Sequence, residues 1–171
     1  MNTVRGLVAF GAVTLALILQ VTLFPHLAWA GVVPNLCLLV VVGSALVRGT
    51  QFAMLLGFGA GVLLDLAPPA DHIAGRWALA LVLVGYVAGR MRPDVRPTAS
   101  TVVATVAACS FVGTSVFAIS GLVLRDTSAG VGELLGVIGI AVVWDVLLTP
   151  LVLPLVTALF HRLEPDRAYA R

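Results

Sequence analysis

Apolar residues along this chain come in long runs, separated by short polar breaks and lacking a regular polar return. A helix that is hydrophobic on all sides, without the polar face of a surface helix, belongs in the core of a large protein or in a membrane. The runs therefore predict six apolar helices. Their expected limits are residues 6–24, 33–47, 51–66, 73–89, 98–124 and 134–160.

Composition decides between these two settings. Of the 171 residues, 60% are hydrophobic and 11% are charged, whereas soluble domains have about 45–50% apolar and about 25% charged residues. We therefore expect an all-α, polytopic integral membrane protein that forms one transmembrane domain over residues 1–171. The net charge of +2 is too small to indicate a nucleic acid as partner.

The arginines are distributed unevenly over the predicted loops. If the N-terminus is cytoplasmic, six crossings leave only Arg76 and Arg125 on the outer side. The positive-inside rule then predicts that both termini are cytoplasmic. One alternative stays open, because Arg48 and Arg90 flank segments three and four on the same side. Two full crossings and a single re-entrant hairpin therefore fit the rule equally. The apolar part between Arg76 and Arg90 is only about 20 Å long as a helix, which keeps the re-entrant alternative open.

Two strongly polar side chains lie deep in the predicted spans, Gln20 in the first and Asp145 near the middle of the sixth. A carboxylate at that depth costs about 2.5–3.5 kcal/mol on insertion scales, so Asp145 should face protein or water. Pro150 removes the helical donor to the carbonyl of residue 146, which is typical of a packing junction or a ligand cavity. We expect Asp145 to make a packing or partner contact, with a ligand site and proton transfer as alternatives.

The break between segments three and four is polar. Two prolines stop the helix there, and Asp71 is placed to cap segment four. Carboxylates and one histidine lie close together, but a zinc site needs three or four convergent ligands. We therefore expect no metal, and a turn held by helix capping and Asp to Arg pairing. The candidate residues of this turn are Asp65, Pro68, Pro69, Asp71, His72 and Arg76.

Segments three and four also carry paired glycines, Gly57 and Gly61 in one and Gly85 and Gly89 in the other. This four-residue spacing of small residues permits close helix contact in membranes. It predicts that the two segments pack on each other or on a partner helix. No arrangement of residues typical of hydrolases, metalloproteases or phosphate-binding loops is present in the sequence, so we expect no enzymatic activity.

Motifs from residue 34 to residue 90 resemble one known family, the rod shape-determining protein MreD, particularly its high-GC Gram-positive branch. Near the end of the chain, Trp144-Asp145 before Thr149-Pro150 is similar to a polar residue, often asparagine, that precedes a proline in the family's last span. Here an aspartate takes the place of the amide. The motifs that carry the resemblance are Pro34-Asn35-Leu36, Arg48-Gly49, Gly57, Gly61, Asp65-Leu66, Pro68-Pro69-Ala70-Asp71-His72, Gly75-Arg76-Trp77-Ala78-Leu79, Leu83-Val84-Gly85-Tyr86 and Ala88-Gly89.

The resemblance implies a non-enzymatic scaffold subunit of the bacterial cell-elongation complex, in the cytoplasmic membrane and without a cofactor. Family members are thought to bind the bitopic protein MreC and, with it, to couple MreB filaments to the glycosyltransferase RodA and an elongation penicillin-binding protein. The paired glycines, Pro34 and the outer turn are then the candidate partner contacts. The family is also similar in fold to the S components of energy-coupling-factor transporters. This suggests an alternative function, a small-molecule-binding membrane protein whose cavity holds Asp145 and Gln20.

Overall fold

The computed structural model describes residues 3–68, 72–92, 97–126 and 129–162. Over these ranges the chain is helical and contains no β-strand, which confirms the all-α prediction. A short 3-10 helix, Phe24–Leu27, follows the first α-helix. The α-helices are α1 Thr3–Thr22, α2 Leu36–Arg48, α3 Thr50–Leu66, α4 Arg76–Arg90, α5 Ala99–Val123 and α6 Val131–Arg162.

Helix α2 lies at the centre of the bundle and contacts each of the other five α-helices. Of its 13 residues, only Leu46 and Arg48 are not buried. Its leucine and valine side chains cover all sides, which suits a helix surrounded by protein. Gly43 lets α6 approach closely, because a Cβ there would lie 2.5 Å from a methyl group of Val156.

Helices α3 and α4 form an antiparallel hairpin. Helix α4 begins at Arg76, three residues later than predicted. Its N-cap is Gly75, which has the left-handed φ of 101° that a residue with a side chain rarely adopts. This turn conformation determines where α4 begins, and the pattern of apolar residues alone does not predict it.

Helices α5 and α6, with 25 and 32 residues, are long and apolar enough to cross a bilayer. Helix α6 remains helical through Pro150 and Pro154. Large apolar side chains such as Phe10, Leu55 and Leu151 are more than half exposed on the outside of the bundle, as expected for a lipid-facing surface. That all six helices span the membrane, or that α3 and α4 form a re-entrant hairpin, stays a prediction.

The two ends of the bundle differ in charge. One end, here called the arginine end, contains the last residues of α2, α4 and α6, which are Arg48, Arg90 and Arg162, and also Arg92, which lies just after α4. At the opposite end lie the turn between α3 and α4, the start of α2 and the loop between α5 and α6. The polar side chains that the sequence singled out are concentrated at this opposite end.

Candidate functional site

Asp65, the second-last residue of α3, caps the start of α4. Its Oδ2 accepts hydrogen bonds from the backbone N–H groups of Gly75 (2.8 Å) and Ala78 (3.0 Å), and its Oδ1 accepts one from Trp77 (3.0 Å). Asp65 is 4% exposed. Its carboxylate satisfies backbone N–H donors that a helix N-terminus otherwise leaves without acceptors, and its negative charge suits the positive end of the helix dipole. The expected cap, Asp71, lies outside the described residues together with Pro69, and Pro68 is exposed just after α3.

Arg76 is 6% exposed and joins the start of α4 to α5 and to the loop after it. Its Nη1 pairs with Asp126, and its Nη2 donates to the Phe117 carbonyl at 2.7 Å. Its guanidinium also lies 3.9 Å from the centre of the Phe117 ring, a cation–π contact. The turn therefore contains an Asp to Arg pair, but the described acid comes from the loop between α5 and α6.

Asp126 ties the same loop to the residues before α4. Its Oδ2 accepts the backbone N–H of Ile73 at 2.9 Å. This hydrogen bond, and secondarily the Arg76 guanidinium, hold the pKa of Asp126 below its ordinary value, although partial burial opposes them. The aspartate is therefore ionised at neutral pH, when its charge is needed to pair with Arg76.

Aromatic rings pack beside the Arg76 side chain, with the Phe117 ring at their centre. The Phe117 ring stacks on Trp77 with ring centres 4.3 Å apart, and it meets the edge of the His72 ring at 5.1 Å. His72 Nδ1 lies 3.7 Å from Asp65 Oδ1. The turn is therefore a packed structure in which Arg76 and the rings of Trp77 and Phe117 are held against each other.

A cavity of about 460 Å³ opens beside these residues, between the ends of α1 and α4, the residues before α2, and helices α5 and α6. Its volume lies within the roughly 300–1,000 Å³ of ordinary ligand pockets. Leu134, Val137 and Ile138 give it an apolar side. Its polar lining residues are Gln20, Asn35, His72, Arg76, Thr114 and Asp126.

Asn35 joins this cavity to the buried start of α2, just after the buried Pro34. Its Oδ1 accepts the Leu38 N–H at 2.9 Å as an N-cap, while Gln20 Oε1 accepts the Cys37 N–H at 3.3 Å. Among the described residues, Asn35 Nδ2 and Trp144 Nε1 are the buried side-chain donors without a partner. A buried unpaired donor costs about 1–3 kcal/mol, and Asn35 Nδ2 is closed off from the open volume of the cavity.

Asp145 lies behind Asn35 and is fully buried. Its Oδ1 accepts the Asn35 backbone N–H at 2.8 Å, and its Oδ2 accepts the Ser110 hydroxyl at 2.7 Å. The side chain thereby joins α6 to α5 and to the start of α2. Asp145 is not among the residues that line the cavity, whereas Gln20 is. The arrangement is that of a packing junction.

The paired glycines lie between α3 and α4. A Cβ on any of them would come within 3.0 Å of atoms of the other helix: Gly57 meets the backbone of Leu81, Gly61 that of Ala78, and Gly85 that of Ala53. Gly89 meets Thr50 in the same way. These glycines are therefore occupied by contacts inside the chain and offer no open face to a partner helix.

Asn35, Phe117 and Asp126 were not among the site residues predicted from the sequence. The role of Asn35 could have been predicted, since an asparagine immediately before an apolar run is a typical N-cap. Phe117 and Asp126 had none, because each acts through a contact with a residue more than 40 positions away. Only the tertiary arrangement brings them to Arg76.

An all-helical chain with membrane-length apolar helices and an exposed apolar surface is a membrane protein. The family model described as rod shape-determining protein MreD matches residues 2–163, nearly the whole chain. The chain therefore belongs to the MreD family and is a shape-determining protein of the rod-shape system. Comparisons with curated proteins and with solved structures give no significant match.

Proposed function

We propose that this protein is a non-enzymatic scaffold subunit of the cell-elongation complex in the bacterial cytoplasmic membrane, with both termini in the cytoplasm. It binds an MreC-like bitopic partner and supports peptidoglycan synthesis. Through that partner it is linked indirectly to MreB, RodA and an elongation penicillin-binding protein. Family membership and the uneven arginine distribution support this proposal.

The observation that carries the partner site is the open cavity beside Arg76. The paired glycines are an unsuitable partner face, because α3 and α4 bury them against each other. The cavity combines an open volume with apolar and half-buried aromatic lining residues. In the proposed orientation the cavity lies at the outer surface of the cytoplasmic membrane, where the partner's chain leaves its single transmembrane helix.

The chemistry of the cavity fits a peptide segment. An apolar side chain would pack against Leu134, Val137 and the Trp77 ring. Arg76 and Asp126 already neutralise each other, so a strongly charged occupant has no counter-charge there. We therefore propose that the membrane-proximal segment of the bitopic partner enters the cavity with few charges.

Two adjacent leucines provide a matched test. Leu134 lines the cavity, whereas Leu135 is 61% exposed and does not. Leu134→Trp fills the cavity and is expected to reduce co-purification of the MreC-like partner at least tenfold, while Leu135→Trp leaves it unchanged. Both variants should keep the thermal unfolding temperature of the wild type in detergent. Equal co-purification of the two variants would show that the cavity is not the partner site.

The volume of the cavity also favours a second candidate function, small-molecule binding as in the transporter S components. Gln20 lines this cavity but Asp145 does not, so one of the two polar residues predicted for a small-molecule site is missing from it. Native mass spectrometry of the purified protein tests it directly. A stoichiometric small molecule that is displaced by Leu134→Trp would favour this function over the scaffold.

A further inference from the structure

The chain between α1 and α2 forms a tight β-hairpin turn beside the cavity at Arg76. Trp29 and Val32 exchange two backbone hydrogen bonds, of 3.1 and 2.9 Å, and form an isolated antiparallel β-bridge. The two residues between them, Ala30 and Gly31, both have positive φ, 49° and 77°. Positive φ at both central residues is typical of a type I′ turn, whose twist matches that of paired strands. The segment therefore has the geometry of a hairpin tip.

Val33 lies on the open edge of this hairpin. In an antiparallel pair, a residue that exchanges both hydrogen bonds alternates with one whose N–H and C=O point away from the pair. Val32 is bonded to Trp29, and Pro34 favours an extended Val33, so the backbone groups of Val33 point away from Trp29. Within the described part of the chain, neither group has a hydrogen-bond partner. Such an edge is a template for pairing with another strand.

The open edge lies on the side of the cavity. Residues 30–33 line the cavity, whereas Ala28 and Trp29, in the other arm of the hairpin, do not. In a membrane protein, backbone outside a helix is tolerated where it lines a water-filled space. An occupant that brings its own backbone N–H and C=O can replace water there and leave neither group of Val33 unpaired.

An extended peptide suits this edge better than a helix does. An α-helix bonds its own N–H and C=O groups internally and leaves none for Val33. A strand offers both groups, and its alternate side chains point to opposite faces, so one set can lie against the apolar Leu134 and Val137 of α6. In this mode of peptide recognition, main-chain pairing provides affinity and the side-chain pockets provide specificity.

We propose that the membrane-proximal segment of the bitopic partner lies in the cavity as an extended strand and pairs with the N–H and C=O of Val33. This binding mode rests on the proposed partner site and specifies how the partner is held there. The hairpin turn positions Val33 before the partner binds, which lowers the ordering cost of pairing. One such hydrogen bond corresponds to about fivefold in affinity, or ~1 kcal/mol.

Two substitutions at residue 33 distinguish backbone pairing from side-chain contact. Val33→Pro removes the N–H and places a ring in its position, whereas Val33→Ala keeps the N–H and removes two methyl groups. Titration of the purified full-length MreC-like partner against each full-chain variant in detergent would measure the affinity. We expect Val33→Pro to weaken binding about fivefold or more and Val33→Ala to leave it nearly unchanged. Thermal unfolding of each variant would verify its fold.

Hydrogen exchange of the wild-type protein provides a second measurement that needs no substitution at residue 33. Pairing should slow exchange of the Val33 amide about fivefold or more when the partner is added. Leu134→Trp, which fills the cavity, should remove this slowing.

The outcomes separate the binding mode from the partner site. Full affinity of Val33→Pro, or unchanged exchange at Val33, would overturn the pairing, and the cavity would remain the partner site if Leu134→Trp still weakens binding. Equal losses for Val33→Pro and Val33→Ala would also overturn the pairing, since the side chain would then make the contact. Full binding of Leu134→Trp would instead overturn the partner site itself.

Discussion

The contact between α3 and α4 and the cavity beside Arg76 both contain residues that the sequence suggested for partner binding, yet they differ in what they leave open. Between the two helices, every paired glycine is covered by backbone or by Thr50. At the cavity, about 460 Å³ is open beside Arg76 and the half-buried rings of Trp77 and Phe117. Small-residue spacing therefore reports how closely helices approach, whereas the surface that is left for a partner has to be found from the open volume.

The physical reason lies in how helices associate in lipid. The hydrophobic effect does not drive two helices together there, so close van der Waals packing must. The short helices α3 and α4, with 17 and 15 residues, obtain that packing from their four glycines. The Asp65 cap fixes the turn between them and so holds the hairpin in register.

The largest effect is expected from Gly57→Ala, which places a methyl group against the Leu81 carbonyl. The two helices can avoid this clash only by moving apart, which would also loosen the other glycine contacts, so we expect a loss of about 3 kcal/mol in unfolding free energy. The measurement is unfolding in detergent by circular dichroism. The matched control is Gly59→Ala, which meets no atom within 4 Å and should gain up to about 1 kcal/mol from helix propensity. Equal effects of the two substitutions would contradict a closed contact between α3 and α4.

Much of the helical framework follows from the sequence, while the site follows only in part. Apolar runs place the ends of α5 within one residue and those of α6 within three residues of the observed limits. The start of α4 was predicted three residues too early, since Gly75 and a carboxylate from the preceding helix determine it. The partners of Arg76 could not be predicted, because their contacts depend on the packing of α4 against α5.

An intermediate effect is expected at Asp145, which belongs to the closed part of the molecule. Asp145→Leu leaves the Asn35 N–H and the Ser110 hydroxyl without acceptors, and each unpaired buried group costs about 1–3 kcal/mol. Asp145→Asn keeps one carbonyl oxygen for Asn35, and its amide can donate to Ser110, so its loss should stay near 1 kcal/mol.

Two measurements on these variants would distinguish a packing role of Asp145 from a chemical one. They are the unfolding free energy in detergent and the rate of peptidoglycan synthesis in cells. If the junction is structural, the asparagine variant retains both stability and function, and the leucine variant loses both. A stable asparagine variant that has lost function would instead show that the carboxyl group itself is required.

The smallest effect is expected from Asn35→Ser, which removes a buried unpaired donor beside the open region. Serine caps helices about as well as asparagine, so the start of α2 should keep its bond to Leu38, and loss of the unpaired donor should not lower the unfolding free energy. Because Nδ2 is closed off from the cavity, we expect the affinity for the MreC-like partner to be unchanged. A loss of about fivefold, the value of one hydrogen bond of about 1 kcal/mol, would show that the partner reaches this donor. Titration of the purified partner in detergent would measure the affinity. If the affinity is unchanged while Leu134→Trp abolishes binding, the partner occupies the cavity without reaching Nδ2, and the amide of Asn35 serves only as the cap of α2.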